Sequence, residues 1–324
     1  MRDYIIKRIL QIIPTILAIT LVVFAMMQAI PGDPIIALLG DAYDEGDAAV
    51  LREEYGLNKP VIVQYAIWLS KVVRGNWGQA IVSGRDVLND VLIRLPVTLE
   101  LIVLAMLVAL IIAIPAGIIA AMRQNTWGDY TAMSTAMIGI SIPDFFLGIL
   151  LLLVFSFALK GLLPSSGWVY LPGTCPTIIC DVGVWGNIKH VIMPAIALGV
   201  GRAAILTRLL RASMLEVIRM EYVTTARAKG LAEKLVILKH ALKNALIPTV
   251  TIMGLQVGFL IGGAIVVETL FAIPGLGTYG INAIIAREYQ QVQGFILLVA
   301  VCFVMINFLV DLVYAFLDPR IRYG

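Results

Sequence analysis

Six apolar runs, at 9–30, 98–121, 132–158, 189–210, 247–272 and 294–317, limit what this chain can fold into more than any other feature. A helix rises 1.5 Å per residue, so about 20 apolar residues are needed to cross roughly 30 Å of hydrocarbon. Inside that layer no water satisfies a free N–H or C=O, and a helix closes its backbone bonds within one segment. The runs predict an all-α polytopic membrane protein with about six transmembrane helices. Composition agrees: 60% of the 324 residues are hydrophobic and 14% charged, where a soluble domain has about 25% charged. The net charge of +3 is small and no basic face stands beside a soluble fold, so nucleic acid is not an expected partner. The N-terminus, "MRDYIIKRILQIIPTILAITLVVFAMMQAIPGDP", starts like a signal peptide, but its apolar run is long enough to span and no small-residue cleavage site follows. It reads as a retained first helix.

Lys and Arg at the ends of the runs set an orientation. Arg2, Lys7 and Arg8 precede the first run; placing them inside also puts Arg123, the basic residues of 211–243, Arg320 and Arg322 inside. The short outer loops then hold only Lys160, Lys189 and Arg287, as the positive-inside rule requires. The expected organisation is a first helix over 1–30 with a cytoplasmic N-terminus and an extracytoplasmic loop over 31–97. A five-helix core over 98–317 follows, including a cytoplasmic segment at 211–246, and then a cytoplasmic tail at 318–324. Two short helices are expected in the long loop, near 46–56 and 61–73, building an external cap. Val61, Tyr65, Trp68 and Val72 make an amphipathic stripe on the second, expected to be the core of that cap.

Small residues recur every fourth position in two runs: Ala105, Ala109, Ala113, Gly117 and Ala121, then Gly254, Gly258 and Gly262. Such rows let helix backbones approach closely. Packing within the bundle is the expected use; a second membrane subunit is the alternative. Pro115, Pro143 and Pro194 predict kinks. Glu100, Asp144, Glu268 and Asp311 lie in or at the ends of runs, where a carboxylate should face protein or water. Asp144, in "SIPDFF", is the deepest. Two readings stand for it, lining a solute pathway or capping a helix break. Structural pairing or an interfacial position is expected of the other three.

Enzyme chemistry finds no support. There is no "GxxxxGK[ST]"; "GVGRAA" at 199–204 lies inside a run, and "PGLGTYG" at 274–280 lacks lysine and reads as a turn. His190 and His240 fall on opposite sides, so they share no metal, and no Ser/His/Asp or Cys/His grouping falls on one face. The chain is expected to bind no cofactor of its own. Cys175 and Cys180, in "GTCPTIIC", fall in an outer loop where oxidation is permitted; a bridge there would contribute about 2 kcal/mol, with free thiols the alternative.

The polar segment that stands out is 221–248, "EYVTTARAKGLAEKLVILKHALKNALIP". Nothing from Ala212 to Lys229 breaks a helix, and Gly230 then permits a left-handed turn that other residues adopt only at a cost. Arg227 and Lys229 suit the negative end of the helix dipole. Leu231, Leu235, Leu238 and Leu242, spaced 4-3-4, predict a second helix with a buried leucine row. An anionic-lipid loop would be basic too, but would need neither the glycine hinge nor the leucines. A docking surface for a cytoplasmic protein fits better.

"EYVTTARAKGL…HALKNALIP" resembles the cytoplasmic coupling motif of permease subunits in binding-protein-dependent ABC importers. Over nearly the whole chain the resemblance is to the dipeptide/oligopeptide/nickel permease family, and within it to the first of two paired permeases, the dipeptide-permease B type. Supporting motifs are "PGDP" (31–34), "YGLNKPVIVQYAIWL" (55–69), "RLPVTLEL" (94–101), "MPAIALG" (193–199), "ETLFAIPGLG" (268–277) and "NFLVDLVYAFLDPRIR" (307–322). Departures are Thr224 where the general motif has an acid, Glu288 and Gln290 where the branch has Asp and Pro, and Asn76-Trp77 in place of Asp-Leu. The resemblance implies a type I ABC importer fold in a bacterial inner membrane. It implies a sister permease, two cytoplasmic ATPase subunits holding ATP and magnesium, and an extracytoplasmic solute-binding protein. Glu221, Tyr222, Thr224, Thr225, Ala226, Arg227, Ala228, Lys229, Gly230 and Leu231 would contact the ATPase. Dipeptides or short oligopeptides are the implied solutes, followed by nickel complexes, glutathione-like peptides or sugars. A stand-alone secondary carrier and a non-transporting scaffold are the competing classes.

Overall fold

The computed structural model describes residues 2–29, 44–54, 58–80, 83–170 and 183–317. Among these the regular structure is helical, apart from one isolated bridge between Gln79 and Asp86. The elements are α1 (Arg2–Gln28), α2 (Glu45–Glu54), α3 (Val61–Val73), α4 (Val87–Met122), α5 (Trp127–Ser141) and α6 (Asp144–Leu153, extended by a π-turn over Val154–Ala158). They continue with α7 (Gly183–Val217), α8 (Glu221–Ala228), α9 (Leu242–Leu270), α10 (Leu276–Ile285) and α11 (Tyr289–Leu317). Among the described residues five helices are long and apolar enough to cross a membrane, and six if the bent pair α5–α6 is one span. Cys175 and Cys180, the 318–324 tail and all of 31–43 lie outside the described residues.

The third expected span is therefore broken, by 99° between Ser141 and Asp144. Pro143 offers no N–H and pushes the residue before it out of helical geometry; Ile142 takes φ −86°, ψ 120°. Pro115 and Pro194 lie inside helices that continue past them. "PGLGTYG" is more than a turn, because α10 starts inside it.

The chain divides into two units. The first, Pro96–Thr278 with Met305–Gly324, is organised on α7, against which α5, α6 and α9 pack. Ala105, Ala109, Ala113 and Ala121 are all buried, and the Leu210 side chain fills the space where Gly117 would carry a Cβ. This row packs within the chain, as expected. The second row splits: Val310 occupies the space at Gly254, Gly258 is buried, and Gly262 faces open space. Glu268 is fully buried without a cation. Its carboxylate accepts hydrogen bonds from Thr98 Oγ1 (2.6 Å) and from the N–H groups of Gly277 (2.7 Å) and Thr278 (3.2 Å), and Thr98 Oγ1 accepts from Leu276 N–H (2.8 Å). An anion on the first N–H groups of α10 sits at the positive end of that helix. Glu268 thus has the structural pairing expected of it.

The second unit is Arg2–Leu95 with Tyr279–Val304. In it, Tyr65 and Trp68 of α3 stack on Phe24 of α1, with centroids 5.5 and 5.8 Å away. Thr20 and Tyr65 share a hydrogen bond at 2.8 Å, and Gln28 donates to Gln64 at 2.8 Å. The α3 stripe is therefore not the core of a separate cap: Tyr65 and Trp68 close onto the first helix, and Val61 stays exposed. Arg94 lies over the Tyr279 ring at 4.6 Å and pairs with Asp90 at 3.3 Å.

Candidate functional site: the coupling segment

The continuous helix expected from Ala212 to Lys229 is in fact two. α7 stops at Val217, and Ile218–Met220 tighten into a turn closed by Arg219 N–H to Glu216 O (3.2 Å) and Met220 N–H to Val217 O (3.1 Å). Met220 is extended (φ −70°, ψ 147°) and opens α8. No breaker residue marks this point. Packing decides it, because the turn brings Val223 and Ala226 back under the ends of the long helices. They join a buried cluster with Ala121 of α4, Leu210, Met214 and Val217 of α7, and Val236, Ala241 and Ala245 near the start of α9. An eight-residue helix alone is unstable in water, so α8 owes its shape to this tertiary contact.

One face of α8 is thus rooted and the other is free. Glu221, Tyr222, Thr224, Thr225, Ala228, Lys229, Gly230 and Leu231 are exposed, Arg227 is half-buried, and Ala226 turns inward. Of the ten residues expected to meet a partner, Ala226 instead holds the helix to its own chain. Val223, which sequence reasoning passed over, does the same; its three-residue spacing from Ala226 was the available signal.

Three fasteners stiffen the elbow beyond α8. Gly230 has φ +77°, the left-handed geometry expected, and it is this conformation rather than crowding that favours glycine, since a Cβ there would meet nothing within 4 Å. Across that turn, Arg227 grips Glu233 through both nitrogens, Nε to Oε2 at 3.1 Å and Nη2 to Oε1 at 2.7 Å. Tyr222 Oη accepts from Asn244 Nδ2 at 2.6 Å, tying the outer face to the foot of α9.

The leucine row differs from expectation. Residues 233–235 are helical, but Val236–Ala241 form a π-turn. Widening the turn places i and i+5 on one face, so Val236 and Ala241 point inward together. Leu235 and Leu238 are 43% and 47% exposed, Leu231 is exposed too, and only Leu242 packs against the cluster. Instead of a private core, the row extends the apolar part of the free surface.

Asp144 neither caps the break nor stands alone. It opens α6 without accepting a capping bond, and Arg202 Nη1 of α7 meets both its oxygens, at 2.9 and 3.1 Å. A second pair joins Asp129 to Arg211. Sequence reasoning weighed the acids of the spans and missed both arginines; charges in an apolar run were the signal that pointed to them. Among the described residues no group of three or more His, Cys, Asp or Glu is placed to hold a metal.

Two family profiles match the chain. "Binding-protein-dependent transport system inner membrane component" covers residues 113–323, and its N-terminal counterpart covers residues 1–102. The dipeptide transport system permease protein DppB of Alkalihalophilus pseudofirmus is 41% identical over 337 residues, spanning 100% of both chains. The glutathione transport system permease protein GsiC of Escherichia coli K12 is 41% identical over 323 residues, again across 100% of both. The chain belongs to the binding-protein-dependent transport system inner membrane components, as a permease subunit of the dipeptide/oligopeptide/nickel type of ABC importer.

Proposed function

We propose that this chain moves short peptides inward as one of two paired permeases, driven by two ATPase subunits that grip the 221–231 elbow. ATP and magnesium are held by those ATPases; this chain binds and hydrolyses no nucleotide. A solute-binding protein delivers the peptide from outside, and both termini lie in the cytoplasm. The observation that carries this reading is the two-sided character of α8: Val223 and Ala226 are rooted among the ends of α4, α7 and α9, while its other face is free. A partner pulling on that face moves three membrane helices, whereas a floppy loop would dissipate the contact energy that shifts inward- and outward-facing populations. Short peptides are favoured because relatives of equal identity carry dipeptide and glutathione in their names.

Cysteines test the docking. Ala226 points inward, so Thr224→Cys and Ala228→Cys are the informative variants. With the ATPases present, their crosslinking yield to a cysteine in the ATPase cleft is expected to change at least about threefold between ATP-trapped and nucleotide-free states. Crosslinking indifferent to nucleotide would leave the elbow a static tether. Uptake by the chain without ATPases would make it a stand-alone carrier.

A further inference from the structure

The bundle contains two ion pairs that are built differently, Asp144–Arg202 within the apolar runs and Asp129–Arg211 just beyond their ends. Arg211 meets Asp129 as a fork, Nε to Oδ1 at 2.5 Å and Nη2 to Oδ2 at 2.6 Å, and Asp129 also accepts the Asn125 N–H at 3.0 Å. The Asp129 side chain is 3% exposed. Two parallel donors meet both oxygens of that carboxylate, which is what a clamp between α5 and α7 requires. The Asp144–Arg202 pair hangs instead on one nitrogen, Nη1, shared by both carboxylate oxygens. Arg202 Nε is buried with no hydrogen-bond partner. The two side chains remain 18% and 15% exposed.

The surroundings of the second pair leave it room to change partners. Asp144 stands at the 99° break between α5 and α6, where the first N–H groups of α6 have no side-chain cap. A Cβ on Gly201 would stand 3.2 Å from Asp144 Oδ1, and one on Gly263 would stand 3.2 Å from Oδ2 and 3.4 Å from Arg202 Nη2. Backbone alone walls the pair there, and the neighbouring Gly262 faces open space. A broken helix with free termini, beside charges in the middle of a bundle, is the arrangement by which membrane transporters hold polar solutes.

We propose that Asp144 and Arg202 form a solute-binding position that takes the two ends of a zwitterionic short peptide, Arg202 receiving the terminal carboxylate and Asp144 the terminal ammonium. This rests on the reading of the chain as a peptide permease. A zwitterion entering between the two residues replaces one ion pair by two, so no charge stands bare in the bilayer at any stage. A solute with a single charged group would strand Asp144 or Arg202, at the cost of an unpaired buried ion. The idle Nε and Nη2 of Arg202 offer the parallel donors that a carboxylate accepts.

Radiolabelled dialanine uptake by the whole importer in liposomes tests this with the double variant Asp144→Leu, Arg202→Met. A purely structural pair is replaceable by apolar residues without loss, because the desolvation cost of both charges disappears. The expected result is an assembled complex with an unchanged or higher melting temperature and uptake reduced more than tenfold. Uptake at the wild-type rate overturns the proposal. A second measurement needs no variant: a photoreactive dipeptide, benzoylphenylalanyl-alanine, is activated on the wild-type importer trapped with vanadate. Labelled fragments are expected from 140–147, 198–205 or 259–266, and labelling confined to other segments overturns the proposal even if the double variant fails to assemble. A wild-type importer that carries neither dialanine nor glutathione overturns the peptide reading itself; one that carries dialanine while passing the double variant unharmed overturns only the site.

Discussion

Glu268 shows how much one buried side chain organises. Its carboxylate gathers a hydroxyl from α4 and two backbone N–H groups from the start of α10. Gly275 and Gly277 come so close that a Cβ on either would strike the carboxylate. Glu268→Ala leaves three donors without an acceptor, and unmade bonds of buried groups cost about 1–3 kcal/mol each before relaxation. The expected loss is about 3 kcal/mol, read as a lower melting temperature of the purified importer. Glu268→Gln, which keeps one oxygen for the backbone donors, is expected to lose less. A melting temperature unchanged in Glu268→Ala would remove the carboxylate from the list of what holds α10. That Glu268 would be paired was legible in the sequence, but its partners were not, because Thr98 and Glu268 are 170 residues apart.

At the scale of elements, the elbow is held by its neighbours, and as proposed it acts as a rigid lever. α8 is short, and its stiffness comes from Val223 and Ala226 beneath it, from the Arg227–Glu233 fork and from the turn at Gly230. Gly230→Val meets open space but must take φ +77°, at a cost of about 1–2 kcal/mol for an L-residue. The strain is relieved by moving the chain on either side of the turn. Gly230→Val is expected to insert at wild-type levels yet lose most solute uptake, while Gly230→Asn, which tolerates the left-handed region, retains more. Measuring membrane-inserted protein by immunoblot beside uptake separates the two effects, and normal uptake by Gly230→Val would argue against a lever. The glycine and the polarity of this segment were legible in advance. The split at Ile218–Met220 and the π-turn at Val236–Ala241 were not, because neither has a local breaker and both are imposed by what packs underneath.

For the whole molecule, the five long helices and the bent pair place the chain across the inner membrane, and its orientation is open to direct measurement. With cytoplasmic termini as proposed, a phosphatase reporter fused after residue 80 is expected to be active, and one fused after residue 230 or 317 inactive. The reverse pattern would put the elbow on the side without ATP and end the coupling argument.

Apolar run length was enough, by itself, to determine the helical class and to mark the candidate spans, because a run of about 20 apolar residues satisfies its own backbone in lipid as a helix. Pro143 and Gly230 likewise announced a break and a turn, since their restrictions act within a residue or two. Which way each face points was decided only in three dimensions. Ala226 and Thr224 are both plausible partners for an ATPase in the sequence, and only packing turns one inward and the other out. The arginines that answer Asp144 and Asp129 come from α7, 58 and 82 residues away, so pairing became visible when the helices met. Local rules reach a few residues along the chain; burial and charge compensation depend on neighbours that the chain supplies from elsewhere.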